Sequence, residues 1–117
     1  MAFRFEHLEI WRLAIDYGEK VHGLTKRFPR SELFVLTSDL NRAALSVSAN
    51  IAEGSGSDSN KEFVRFLNIA LKSALETVSQ LWVARRRGYI TSDEFRDAYQ
   101  DAELLVKKIR CFVKSLK

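Results

Sequence analysis

Side chains able to do chemistry are few in this chain, and their spacing keeps them apart. His7 and His22 are its only histidines; on one helix their 15-residue separation amounts to roughly 22 Å, too far to share a metal or a reaction centre within a subunit. Glu19 and His22 have the Glu-x-x-His spacing of carboxylate-bridged metal bundles. Such a site needs a second copy of the motif, and none is present. Gly54-Ser55-Gly56 suggests a phosphate loop, but it follows a helical pattern and lacks the lysine-serine pair or third glycine of nucleotide fingerprints. Asp58 adds negative charge nearby, against anion binding. The single cysteine, Cys111, has no CxxC or cysteine-histidine neighbourhood; it reads as a small buried apolar residue in a reducing compartment. No serine, threonine or cysteine has a histidine base in reach. These residues predict a protein that is not an enzyme, with no cofactor, metal or small-molecule substrate.

Two polar groupings remain. Arg42, Ser46, Asn50 and Glu53 recur at steps of four, four and three, drawing a polar line beside an apolar stripe, with Glu62, Arg65, Lys72, Ser73 and Glu76 on the segment that follows. A hairpin closing at Gly54 to Ser57 would bring Asn50 and Glu53 near the next helix's first-turn amides or Arg65. The line then either fixes hairpin register through internal hydrogen bonds or faces a subunit interface or channel. The second grouping is basic: Arg85, Arg86 and Arg87 close one helix, and Lys107, Lys108, Arg110, Lys114 and Lys117 cluster toward the end of the next. Cations at a helix C-terminus need no partner. In a ring of subunits, however, each cluster would repeat into a belt able to meet several phosphates.

The elements that must position these groups are helices. With 117 residues, 46% of them hydrophobic, one proline and five glycines, the chain reads as a single all-α domain over residues 1–117. Leu8, Trp11, Ala14, Ile15, Gly18, Val21 and Leu24 share one face of a helix predicted over about 6–27, which Phe28-Pro29 ends. A second helix is expected over 36–54, stopped by Gly54. Ser59 with Glu62, and Thr91 with Glu94, form capping-box patterns that open helices over 59–87 and 92–116. Four helices joined by short connections predict an antiparallel up-down-up-down four-helix bundle. The third is apolar around more than half its circumference, from Phe63 to Val83, which predicts surface left over for another subunit and hence a homo-oligomer.

The formal charge is +4, distributed as +2 over residues 1–30, −2 over 31–57, +3 over 58–90 and +1 over 91–117. Bases are interleaved with acids, a balance that permits contact with nucleic acid without requiring it. No apolar run reaches the roughly 20 residues of a membrane span, and the N-terminus carries charges where a signal peptide is smooth, so a cytoplasmic location and no membrane are expected.

FEHLEIWRLA at residues 5–14, Phe28-Pro29, LTSDLNRAALSVSANIAEG at 36–54 and EFVRFLNIALKSALE at 62–76 resemble the four-helix bundle proteins encoded in intervening sequences of bacterial 23S rRNA genes. The resemblance covers nearly the whole chain. It implies a ring-shaped homopentamer and kinship to the accessory variability determinant of diversity-generating retroelements, which works with a reverse transcriptase and is thought to contact nucleic acid through a basic surface. It brings no catalytic residues, and marks Arg42, Ser46, Asn50, Glu53, Gly54, Phe63, Arg65, Phe66 and Glu76 as structural and assembly positions. Ser48 and Asp39 depart from the usual pattern, where proline or alanine and a glutamine are expected. The leading expectation is a non-enzymatic oligomer that binds RNA or a nucleoprotein through Arg85, Arg86, Arg87, Lys107, Lys108, Arg110 and Lys114. The alternative is a protein-binding scaffold that uses Phe63 to Trp82 or the polar line.

Overall fold

A computed structural model describes residues 1–117. It is an all-α bundle of four helices: α1 (Glu9–Thr25), α2 (Ser38–Ser55), α3 (Asn60–Arg86) and α4 (Ser92–Leu116). Sequential helices pack against each other and α4 closes back onto α1, with α2 and α3 in the most extensive contact. The connectivity is thus up-down-up-down, and α2 and α4 occupy diagonal corners. Ile10, Ala14, Tyr17 and Val21 of α1, Leu40, Val47 and Ile51 of α2, Phe63, Leu67, Ala74 and Leu81 of α3, and Ala98, Leu105 and Ile109 of α4 fill the core. Each set recurs at steps of three, four or seven residues, the spacing that puts one face of a helix out of water.

The ends of the helices depart from expectation, each for a local reason. The first predicted helix divides into a 3-10 turn (Arg4–His7) and α1, with Leu8 extended between them. Glu6 accepts from the Phe3 amide at 2.9 Å, and Arg12 donates to the Glu6 carbonyl at 3.2 Å, so side chains complete the turn. After Pro29 the chain makes a 3-10 turn (Arg30–Glu32) and a π-helical turn (Leu33–Thr37) before α2 begins. Leu36 and Leu40 are buried, whereas Leu33, Phe34 and Val35 face solvent.

Gly54 does not stop α2. It lies inside the last turn, and a Cβ there would sit 2.8 Å from Phe63 Cδ1 and 2.8 Å from Phe66 Cβ. The glycine is therefore the point of closest approach between α2 and α3, and Gly56 is the residue that follows the helix. At the start of α3, Ser59 accepts from the Glu62 amide at 3.1 Å, but the Glu62 carboxylate turns to Arg65 instead of reaching back, so only half of the expected capping box forms. Thr91 and Glu94 make both bonds of theirs, at 3.1 and 2.8 Å. Gly88, at φ +78°, ends the α3 turn in a left-handed conformation and lets the Tyr89 amide reach the Ala84 carbonyl at 2.9 Å.

One buried polar pair crosses the core. Thr77 donates to the Ala74 carbonyl at 2.6 Å, so its oxygen accepts the Tyr17 hydroxyl at 2.7 Å and both groups are satisfied. Burial pushes the Tyr17 phenol up to about 12 against the smaller opposing effect of the Thr77 bond.

Candidate nucleic-acid interface

The polar line of α2 lies in the α2–α3 seam, where it makes a sequence of cross-links. Arg42 Nη2 lies 3.3 Å from Glu76 Oε2, the Ser46 and Ser73 hydroxyls are 2.8 Å apart, and Asn50 Nδ2 donates back along its own helix to the Ser46 carbonyl and hydroxyl at 2.8 and 3.0 Å. Asn50 makes no hydrogen bond to the α3 first turn. Arg65 pairs with Glu62 on its own helix at 2.6 Å and lies over the Phe66 ring, and Glu53 is exposed with no ion-pair partner. The bond from Arg65 holds the Glu62 carboxyl below its ordinary range.

The basic residues named from sequence separate into two kinds. Arg87 is tied into the fold: its Nη1 lies 2.7 Å from Glu32 Oε2, which also accepts the Tyr89 hydroxyl at 2.8 Å. The Tyr89 bond, with Arg87 beside it, depresses the Glu32 carboxyl. Arg85 donates to the Ser92 hydroxyl, and Lys108 Nζ lies 3.4 Å from Glu9 Oε1 across the α1–α4 seam. Lys20 meets Asp97, at 2.7 Å, and Asp101 in that seam as well. Burial lowers the Lys20 pKa, but the hydrogen bonds that it donates to Asp101 and Asp97 outweigh it, and the net effect is upward. Arg86, Lys107, Arg110 and Lys114, by contrast, are exposed and in no ion pair.

Pairing removes negative charge from one side of the bundle. On α3 and α4, Glu62, Glu76, Asp93, Glu94, Asp97 and Asp101 are all matched to Arg or Lys, and Glu103 alone is left. Unmatched bases on these helices are Lys61, Lys72, Arg85, Arg86, Lys107, Arg110 and Lys114, with Lys117 just past the end of α4. Lys107, Arg110 and Lys114 follow at steps of three and four, so they form one line along α4, spaced about 4.5 and 6 Å apart by helical rise. They border a groove of about 510 Å³ whose other walls include Leu75, Val78, Tyr99 and Val106. A second depression of about 490 Å³ shares Tyr99 and Glu103 with it and extends the path past Phe95 to Trp82 and Arg85. The basic ends of α3 and α4 lie at opposite poles, as the bonds from Asn60 to the Leu116 carbonyl and from Arg85 to Ser92 show, and the two grooves join them along the α3–α4 seam.

Sequence reasoning singled out all four of these free cations, but through clustering alone, which does not part Arg86 from the tied Arg87 or Lys107 from the tied Lys108. Lys61 was missed, and Lys72 was placed with the polar line. The period of Lys107, Arg110 and Lys114 could have exposed the strip, whereas the capture of Arg87 by Glu32 depends on a contact 55 positions away along the chain. Cys111, expected in the core, is exposed on the wall of the groove, because the α4 core face passes through Ile109 and Val113 and carries position 111 outward. His22 and Glu19 line a different groove, between α1 and α2, and no three His, Cys, Asp or Glu side chains gather anywhere to hold a metal. No helix is long and apolar enough to cross a membrane.

No curated protein matches this chain. Among solved structures, it is similar to a protein with unknown function from the S23 ribosomal protein family of Bacteroides thetaiotaomicron, at 27% identity and a TM-score of 0.83, over 90% of this chain and 98% of that one. The family model for the 23S rRNA-intervening sequence protein matches residues 6–111. With four helices, their connectivity and nearly the full length in agreement, this chain belongs to the 23S rRNA-intervening sequence protein family.

Proposed function

We propose that this chain is a non-enzymatic homo-oligomer, a cytoplasmic ring of five subunits, that binds RNA through the basic strip on its α3–α4 face. The observation that carries the RNA reading is the alignment of Lys107, Arg110 and Lys114 along the groove that they line on α4, with no acid paired to any of them. Free cations on one face recruit phosphate by releasing counterions, and repetition around a ring multiplies the effect.

Assembly is supported on the diagonally opposite corner. Phe34 is 87% exposed, Val35 59% and Leu45 66%, and Ala49 follows Leu45 on the outward side of α2. Apolar surface of this kind is costly in water and suits contact with a second copy. The third helix, from which self-association was expected, has less to offer: Phe63, Leu67, Ala70, Ala74 and Leu81 are buried, leaving Ile69, Leu75 and Trp82 exposed.

The test is binding of a labelled rRNA fragment as a function of salt. Replacing Lys107, Arg110 and Lys114 by glutamine should reduce the slope of log affinity against log salt by about 2, since each cation that neutralises a phosphate of an unpaired strand accounts for roughly 0.7. Phe34→Asp should lower the sedimenting mass. An unchanged slope, or no binding at low salt, refutes the RNA reading; monomer mass for the unaltered protein at micromolar concentration refutes the assembly. A partner retained from nuclease-treated lysate would favour the protein scaffold, for which the apolar floor of the groove is the supporting feature.

A further inference from the structure

We infer that the RNA taken by this face is an unpaired strand, with a base stacked on Trp82 at the head of the groove. This deepens the proposed function and rests on it. Trp82 is 50% exposed where α3 turns from its buried face toward solvent. Its ring leans on Phe95 with centroids 4.4 Å apart, and Phe95 in turn meets Tyr99 at 5.7 Å. The indole is therefore braced by a ring tilted 52° to it, while half its surface lies open beside the second depression. Arg85, Ser92, Arg96 and Gln100 surround the depression it forms, with Arg96 Nη1 3.6 Å from Asp93.

From that platform the path runs along the α3–α4 seam to Lys114. Between Ser92 and Lys114 the length is about 33 Å along α4, enough for several nucleotides of an extended strand. The two ends differ in chemistry: aromatic rings with polar side chains at one, free cations over an apolar floor at the other. A duplex would use only the cations, because its bases are stacked inside and cannot reach an indole. An unpaired strand uses both, its phosphates meeting Lys107, Arg110 and Lys114 while a base covers the open face of Trp82. Cover for the α3–α4 seam alone would be met by a smaller aliphatic side chain, without half an indole left in water.

The experiment uses the full chain carrying Trp11→Phe, which leaves an aromatic ring against Phe5 and makes Trp82 the only indole. Its probes are a 12-nucleotide RNA without self-complementarity and a 12-base-pair RNA duplex. Expected are tighter binding of the unpaired strand by about tenfold, and quenching of Trp82 emission by that strand alone. In the otherwise unaltered chain, Trp82→Leu should weaken the unpaired strand by about tenfold with no change in salt slope. Trp82→Phe, which keeps a π-face, should recover most of the affinity; should the leucine variant fail to fold, the phenylalanine variant and the quenching decide. Equal or tighter binding of the duplex, or an unquenched Trp82, overturns the inference while leaving RNA binding intact. Failure of both probes to bind at low salt would instead refute the proposed function.

Discussion

Replacing Gly54 by alanine should destabilise the bundle relative to the same change at Gly18, although both glycines sit in helices. At Gly18 a Cβ meets nothing within 4 Å, so alanine there brings only its better helix propensity, about 1 kcal/mol. At Gly54 the Cβ falls 2.8 Å from Phe66 Cβ and 2.8 Å from Phe63 Cδ1. Phe63 is fully buried, with its ring edge-on to Phe112 at 5.5 Å, and Phe66 Cβ is fixed to its backbone. Neither can swing away. To restore an ordinary contact of 3.4 Å, α3 must retreat by about 3.4 − 2.8 = 0.6 Å from α2 along the most extensive helix pair in the molecule. Overpacking of this kind costs about 1–3 kcal/mol. With an unfolding entropy of roughly 2.1 cal/mol/K per residue over 117 residues, near 250 cal/mol/K, the penalty corresponds to about 4–12 °C between the two variants. Melting followed by far-UV circular dichroism at one fixed protein concentration measures it, since subunit association makes Tm concentration-dependent. A Gly54→Ala variant that melts as high as Gly18→Ala would refute the close approach as the reason for this glycine.

Three further predictions concern the titrating groups and their hydrogen-bond partners. The Tyr17 phenol is raised, so the folded state keeps its proton while the unfolded chain loses it above pH 10; stability should fall as pH rises from 10 toward 12, by about 2–3 kcal/mol in all, and tyrosine absorbance should show one phenol that ionises only on unfolding. Thr77→Val should cost more than Tyr17→Phe in urea denaturation, about 1–3 kcal/mol against less than 1, because the first leaves the Tyr17 hydroxyl without an acceptor and the second leaves Thr77 bonded to Ala74. Glu32 is depressed, so its contribution is present above the ordinary carboxylate range and is lost as pH falls through its folded value. Arg87→Gln should therefore lower Tm at pH 7, with the gap to the unaltered protein closing in acid, whereas Arg86→Gln should leave Tm unchanged at either pH.

The helices and their order were legible in the sequence because burial repeats with the helical period, and the apolar residues of α1, α3 and α4 keep that period for several turns. Thr91 and Glu94 were legible for the same kind of local reason, side chains acting within a few residues of themselves. What could not be read was pairwise. Gly54 looked like a terminator, and only the position of Phe63 and Phe66 on the facing helix shows it to be a contact. Glu62 had a choice between its own helix N-terminus and Arg65, two local partners that the pattern of residues does not rank. The π-helical turn at Leu33–Thr37 was not legible either, because the apolar run before Leu36 has no period of its own that shows Leu33, Phe34 and Val35 facing outward.

Charge shows the same division more sharply, and it bears on how assembly and RNA binding could coexist. A net charge of +4 is weak for a nucleic-acid binder when spread over the whole surface. It is not spread: Lys20, Arg27, Arg42, Arg65 and Arg96 neutralise acids in seams and along helices, and Glu103 is the one acid of α3 and α4 left unpaired against their unmatched bases. The apolar residues left in solvent, Phe34, Val35 and Leu45, belong to the turn before α2 and to α2 itself. Because α2 and α4 are diagonal in an up-down-up-down bundle, a subunit that buries its α2 corner against a neighbour keeps the Lys107–Lys114 line open. The two proposals are then separable by mutation. Phe34→Asp should reduce apparent affinity for long RNA through loss of repeated sites, while leaving the affinity of a single subunit for a short unpaired strand unchanged. Loss of short-strand affinity in that variant would place the strand at the α2 corner and refute the assignment to α4.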